Sequence, residues 1–253
     1  MTSRHWLLVC LIGLTLAGCK TGGNKSASSA TDPAATQPTE TGVEKAKPAA
    51  GTGNVQGKVL YNSKPAANIE VKLCETFSRF LGGCGGTTYT ARTDKDGEYV
   101  ITNVKPGVYE ALTARVFDTD SYVFATSGIA GISATKYEVP VDKTLFITPT
   151  NLFKSDLKTV NPNAGAKVSG QNLELKWETY PDAAYYKFSI YPEDSSITSP
   201  YINQRVEGTS FAVTKPLQKG EYRWQVEAFN NADRKLSESA DDIKFTITDG
   251  GVR

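Results

Sequence analysis

The chain has 253 residues, with 28 Lys and Arg against 27 Asp and Glu, one histidine and four cysteines. A balance this close to neutral offers no basic face to a nucleic-acid backbone, which excludes that class of partner. With His5 as its one histidine, the chain is also poor in the commonest general base and metal ligand.

Arg4 and His5 precede an apolar run from Trp6 to Ala17, too short to cross a bilayer core of about 30 Å as a helix. A basic start, a short apolar stretch and small residues at its end predict a signal peptide over residues 1–18. Leu16-Ala17-Gly18-Cys19 resembles the bacterial lipobox. That resemblance implies cleavage before Cys19 and a lipid-modified cysteine at the new N-terminus. The competing reading, a buried helix, fails because the polar chain after Cys19 gives it nothing to pack on. Cleavage removes Arg4, His5 and Cys10, so the 28 basic residues become 27 against 27 acidic ones. Without a histidine, Ser-His-Asp and Cys-His catalysis are excluded. Lys20 after the cysteine, in place of aspartate, resembles outer-membrane sorting in enterobacteria. The expected location is therefore a bacterial cell envelope, lipid-anchored, at the outer membrane.

Residues 19–53 read as a lipidated cysteine and a disordered linker. Lys20 to Gly53 is mostly Ala, Thr, Ser, Gly, Pro and Lys, with Val43 as its only larger aliphatic residue. Such a segment cannot offset the entropy of folding, and as a coil it reaches on the order of 30 Å. Beyond it, "VQGKVLY", "IEVKLC", "TYTAR", "EYVI", "LELKW", "YYKFSIY", "SFAV", "EYRWQVEAF" and "IKFTIT" alternate with period two. Gly, Pro, Asn and Asp clusters separate them, which predicts an all-β chain. Two cores fit the length: one over 54–153 and one over 160–248. The boundary lies near the turn-rich stretch Lys154 to Gly170. Ser155 to Lys158 spells S-x-x-K, but without a helix start or companion motifs it carries no chemistry. Cys74 and Cys84 are an exported pair with no competitor, and should oxidise to each other.

"TDKDGEYVITNVKPGVY", Thr93 to Tyr109, tests for a calcium loop. Counted from Asp94, the glycine required at the sixth place is the fourth, Gly97, and the twelfth place is Lys105 where a glutamate should be. The same letters make a tight turn: Asp caps amides and Gly takes positive φ. No metal site is expected.

The longer pattern resembles the carboxypeptidase regulatory-like family. Its residues are Gly57-x-Val59, Pro65, Ile69-x-Val71, Thr93-Asp94-x-Asp96-Gly97-x-Tyr99-x-Ile101, Val104 and Pro106-Gly107-x-Tyr109. The match covers about residues 55–116 and implies a prealbumin-like β-sandwich used for folding, spacing or interaction. Two departures stand out: the loop "CETFSRFLGGCGG" and the excursion from Phe117 to Tyr137. From Val160 to Thr248 the chain resembles a fibronectin type III domain. Leu173-x-Leu175-x-Trp177 is the early strand, Tyr186-x-Phe188-x-Ile190 the next inward face, and Tyr222-x-Trp224-x-Val226-x-Ala228 the strand with the tyrosine corner.

Two surfaces are candidates for binding. One is the cysteine-clamped loop with Phe77, Phe80 and Leu81, whose alternative is packing on its own sheet. The other is the outward face of "AYYKFSIY": with Tyr186, Phe188 and Ile190 inward, Tyr185 and Tyr191 point out, near Tyr180 and Tyr201. Its alternative is an ordinary β-surface. The expected role is non-catalytic, with no cofactor and no catalytic residues: a membrane-anchored module that binds or scaffolds a protein or glycan partner. An accessory subunit of a glycan-handling or export complex is the second reading, and a hydrolase the last.

Overall fold

The computed structural model describes residues 42–78, 83–124, 136–240 and 242–249. Every regular element among them is a β-strand, arranged as two tandem sandwiches, as the period-two alternation predicts. The signal segment, Cys19, Phe80 and Leu81 lie outside the described residues.

Gly53–Tyr61 is the axis of the first sandwich. Its first half pairs antiparallel with Glu98–Val104 and in parallel with Thr144–Phe146. Its second half pairs with Lys64–Pro65 and, in parallel, with Thr150–Leu152. The opposing sheet runs Gly83–Arg92, Glu70–Ser78, Ala111–Arg115 and Tyr122–Phe124. Alternate residues from both sheets close the core: Val55, Val59, Tyr99 and Ile101 against Val71, Leu73, Leu112 and Ala114. The described ends of the excursion between Phe117 and Tyr137 belong to this sandwich. Phe117 meets the Tyr61 ring edge-on at 5.2 Å, Tyr122–Phe124 adds the fourth strand, and Tyr137 is buried in the core.

Tyr99 fills the space that a side chain at residue 57 would occupy: a Cβ on Gly57 would lie 2.5 Å from the Tyr99 hydroxyl. That hydroxyl is buried without a partner among the described residues, and burial pushes its pKa above the usual phenol range. A buried, unsatisfied hydroxyl costs roughly 1–3 kcal/mol. Tyr99→Phe is therefore expected to raise stability by about 1 kcal/mol in urea unfolding. A loss of stability would show that the hydroxyl is satisfied after all.

The second sandwich packs two sheets around Trp177 and Trp224, whose ring centroids are 6.4 Å apart. One sheet is Thr159–Asn161, Glu174–Trp177 and Ser210–Ala212. The other is Lys154–Leu157, Lys235–Ser239, Gly220–Phe229, Tyr185–Pro192 and Gln204–Val206, with Ile243–Ile247 pairing the first half of Gly220–Phe229. The tyrosine corner forms: the Tyr222 hydroxyl donates to the Gln218 carbonyl at 3.0 Å. The first sandwich repeats the device, with Tyr109 donating to the Lys105 carbonyl at 2.7 Å.

Two boundaries differ from expectation. The S-x-x-K stretch is not a link: Lys154–Leu157 is a strand of the second sandwich, parallel to Lys235–Ser239. Residues 42–53, expected to belong to the linker, are instead part of the first sandwich. From Gly42 the chain lies along the first sandwich: the Gln56 side chain bonds the Val43 carbonyl and the Lys45 amide, Asn54 bonds the Ala46 carbonyl, and Pro48 is buried. Composition misses this because the bonds come from Gln56 and Asn54, and residues 42–48 supply mainly backbone.

Candidate functional site

The Asp94 turn is built as a turn. Asp94 accepts the amides of Asp96 and Glu98, each at 2.9 Å, and the Gly97 amide returns to the Asp94 carbonyl at 3.0 Å. Its cation is a side chain: the Lys45 ammonium lies 3.0 Å from Asp94 and also contacts Glu98. The Glu98 amide bond, then Lys45 and the Asp96 amide, hold the Asp94 carboxyl down at about 2. Among the described residues, no group of three His, Cys, Asp or Glu is placed to hold a metal.

Cys74 and Cys84 are joined by a disulfide across neighbouring strands. Phe77, half-buried, packs edge-on against Phe124 at 4.9 Å, and its amide donates to Glu110. The clamped hairpin therefore leans on the start of the excursion. Phe80 and Leu81 of the same loop lie outside the described residues. Reducing the disulfide is expected to lower stability by about 2–3 kcal/mol, the loop entropy of so short a bridge. Unfolding with and without reductant measures it, and an unchanged midpoint would show that the packing of Phe77 carries the hairpin alone.

The expected tyrosine platform does not form. Tyr185 is on the face opposite Tyr186, Phe188 and Ile190, but it is only 2% exposed. Phe229 stacks on it at 5.1 Å, the Arg205 guanidinium covers it at 3.8 Å, and its hydroxyl bonds Asp233. Alternation set the face correctly, but a face is exposed only where neighbouring strands carry short side chains, and here they carry Arg205 and Phe229. Tyr191 is partly exposed, with Arg223 at 5.1 Å from its ring. Tyr201 is in the core, packed against Phe188 and Phe211. Tyr180 is at the junction of the two sandwiches.

That junction is the feature sequence reading missed. One residue, Phe153, separates the Thr150–Leu152 strand of the first sandwich from the Lys154–Leu157 strand of the second. Across it, Asn62 donates to Asp182 at 2.8 Å, Asn230 donates to Asn62 at 2.8 Å, and the Tyr61 and Tyr180 hydroxyls meet at 3.3 Å. Tyr180 continues to Asp156, and Lys154 sits over the rings of Tyr61 and Phe117. Asn62, Ser63 and Asp182 hold positive φ, which Asn and Asp tolerate. Beside them opens a shallow polar cleft of about 380 Å³, with Lys64, Asp182, Ala183, Ala184 and Asn231 in its wall. The asparagine-rich loops "YNSK" and "FNNAD" were the available signal, but nothing in their spacing says that they meet.

No family model and no curated protein matches the chain. Among solved structures, fibronectin(III)-like modules of Clostridium thermocellum CbhA align at 15% identity and a TM-score of 0.29, covering 77% of this chain and 91% of that one. The full-length major pilin SpaD of Corynebacterium diphtheriae aligns at 12% identity and a TM-score of 0.27, covering 77% of this chain and 64% of the pilin. At these scores no site is transferred. The class the fold and its surfaces define is an all-β protein of two joined sandwiches.

Proposed function

We propose that the chain is a non-catalytic, lipid-anchored envelope protein that presents two sandwiches as one stiff unit for binding or scaffolding a protein or glycan. The first sandwich is read as carboxypeptidase regulatory-like and the second as fibronectin type III-like, from the residues that carry those resemblances. The observation that carries the proposal is the junction. A one-residue connection, crossed by Asn62, Asp182, Asn230, Tyr61 and Tyr180, couples the two sandwiches where a flexible linker would let them move independently. A stiff pair of modules behind a flexible tether suits a spacer or a composite binding face.

Anchoring is tested with Cys19→Ala. The variant is expected to lose membrane association and the mass of the acyl chains, and retention at unchanged mass would refute the anchor. The binding role is tested by cross-linking and pull-down of the anchored protein against the same chain carrying Asp182→Arg. A specific protein or glycan should be recovered by the first and diminished with the second. Turnover of a glycan or peptide by the purified chain would overturn the non-catalytic reading.

A further inference from the structure

We propose that residues 42–48 form a detachable clasp, which Lys45 fastens to the Asp94 turn and which sets how far the tether can reach. The docked chain runs antiparallel beside the first half of Gly53–Tyr61, with Val43 and Lys45 opposite Gln56 and Ala46 opposite Asn54. It then reverses over residues 49–52, where the Thr52 amide bonds the Ala49 carbonyl at 3.0 Å and Gly51 donates to Asp142 at 2.7 Å.

Three features make this contact releasable without loss of the fold. First, the partners of Lys45 do not depend on it. Asp94 keeps the amides of Asp96 and Glu98, and Glu98 has a second cation in Lys58 at 3.9 Å. Second, the fastening is exposed. The side chains of Lys45 and Asp94 are 40% and 46% accessible, so water and salt compete for the pair. Third, release relieves a defect. Asn54, whose side-chain N–H holds the Ala46 carbonyl, keeps its Oδ1 buried without a hydrogen-bond partner among the described residues. Lifting Ala46 away opens Asn54 to water, which satisfies the acceptor. Docking therefore gains bonds along one side of the clasp and keeps the Asn54 acceptor dry, a balance that small changes in ionic conditions can tip.

Release frees residues 42–48, and an extended chain of that length adds roughly 23–25 Å of contour to the tether. Its use as a spacer rests on the lipid-anchored reading above, whereas the clasp itself does not. Amide exchange in the full chain tests the clasp, comparing wild type with Lys45→Gln at low and high salt. The amide of Lys45 is expected to exchange at least about tenfold faster in the variant, and faster in wild type at high salt. Core amides such as those of Val59 and Ile147 should be unchanged. Equal rates at Lys45 in the two proteins would overturn the proposal. Core amides accelerating in step with the clasp would overturn it too, by making 42–48 an integral part of the sandwich. Energy transfer from the folded part to labelled vesicles tests the reach: Lys45→Gln should lie farther from the bilayer. Protein that never associates with vesicles would refute the anchored reading and leave the exchange result standing.

Discussion

Gly97→Val is expected to destabilise the first sandwich by about 3 kcal/mol or more, the upper end of the cost of forcing a side chain into a left-handed conformation. Gly97 has φ of 72°, where a β-branched residue is strained wherever it sits. Here there is also no room: a Cβ would lie 2.5 Å from the Val59 carbonyl oxygen, 3.0 Å from the Ala66 nitrogen and 3.1 Å from the Pro65 Cα. All three are backbone atoms, so no rotamer change relieves the contact. The Val59 amide also donates to the Gly97 carbonyl at 2.7 Å, so moving the turn breaks a bond to the axis strand. Asp94→Asn is the control. Asparagine keeps an oxygen for the Asp96 and Glu98 amides and loses only the charge facing Lys45, an exposed pair that water and salt screen, so it should cost far less than Gly97→Val. The Asp94 carboxyl is lowered in the folded state, so its contribution is complete above the ordinary aspartate range and is lost as pH falls towards about 2. Thermal unfolding of the full chain distinguishes the two substitutions. A Gly97→Val protein within 1 kcal/mol of wild type would mean that the turn rebuilds elsewhere. A melting temperature that rises with calcium and ceases to do so in Asp94→Asn would mean that the turn takes a metal.

Trp224→Ala is expected to cost about 4 kcal/mol and to remove the cooperative unfolding of the second sandwich. Trp224 is 0% exposed at the centre of Gly220–Phe229, the strand that pairs with both Tyr185–Pro192 and Ile243–Ile247. Its ring packs towards Trp177, and its indole N–H donates to the Pro162 carbonyl at 3.2 Å. Truncation therefore leaves both a large cavity and an orphaned carbonyl. Intrinsic fluorescence with urea resolves whether the first sandwich keeps its own transition. If the variant loses less than about 2 kcal/mol, the core has collapsed around the vacancy, which the close-packed neighbours Trp177, Tyr222 and Phe245 argue against.

The architecture was legible in the chain because a strand announces itself locally. Val55, Val59, Leu173, Leu175, Trp177, Phe188 and Ile190 are where alternation put them, since side chains of one strand must alternate between core and solvent. The Asp94 turn was legible for the same reason, its chemistry being contained within a few residues. The Cys74–Cys84 bridge followed from counting the cysteines that the expected cleavage and lipidation would leave.

Whatever depends on residues distant in sequence was decided only by tertiary structure. Tyr185 was assigned the right face but the wrong exposure, because Phe229 and Arg205 arrive from other strands to cover it. Gly42 to Pro48 has the composition of a tether, yet Gln56, Asn54 and Asp94 supply the side-chain bonds it lacks. The junction is the largest case. Asn62, Asp182 and Asn230 are separated by more than a hundred residues at the first step and by tens at the next, and each alone reads as an ordinary turn residue. A turn residue becomes part of a junction only when packing brings a complementary donor or acceptor within about 3 Å, a condition that periodicity and composition do not encode.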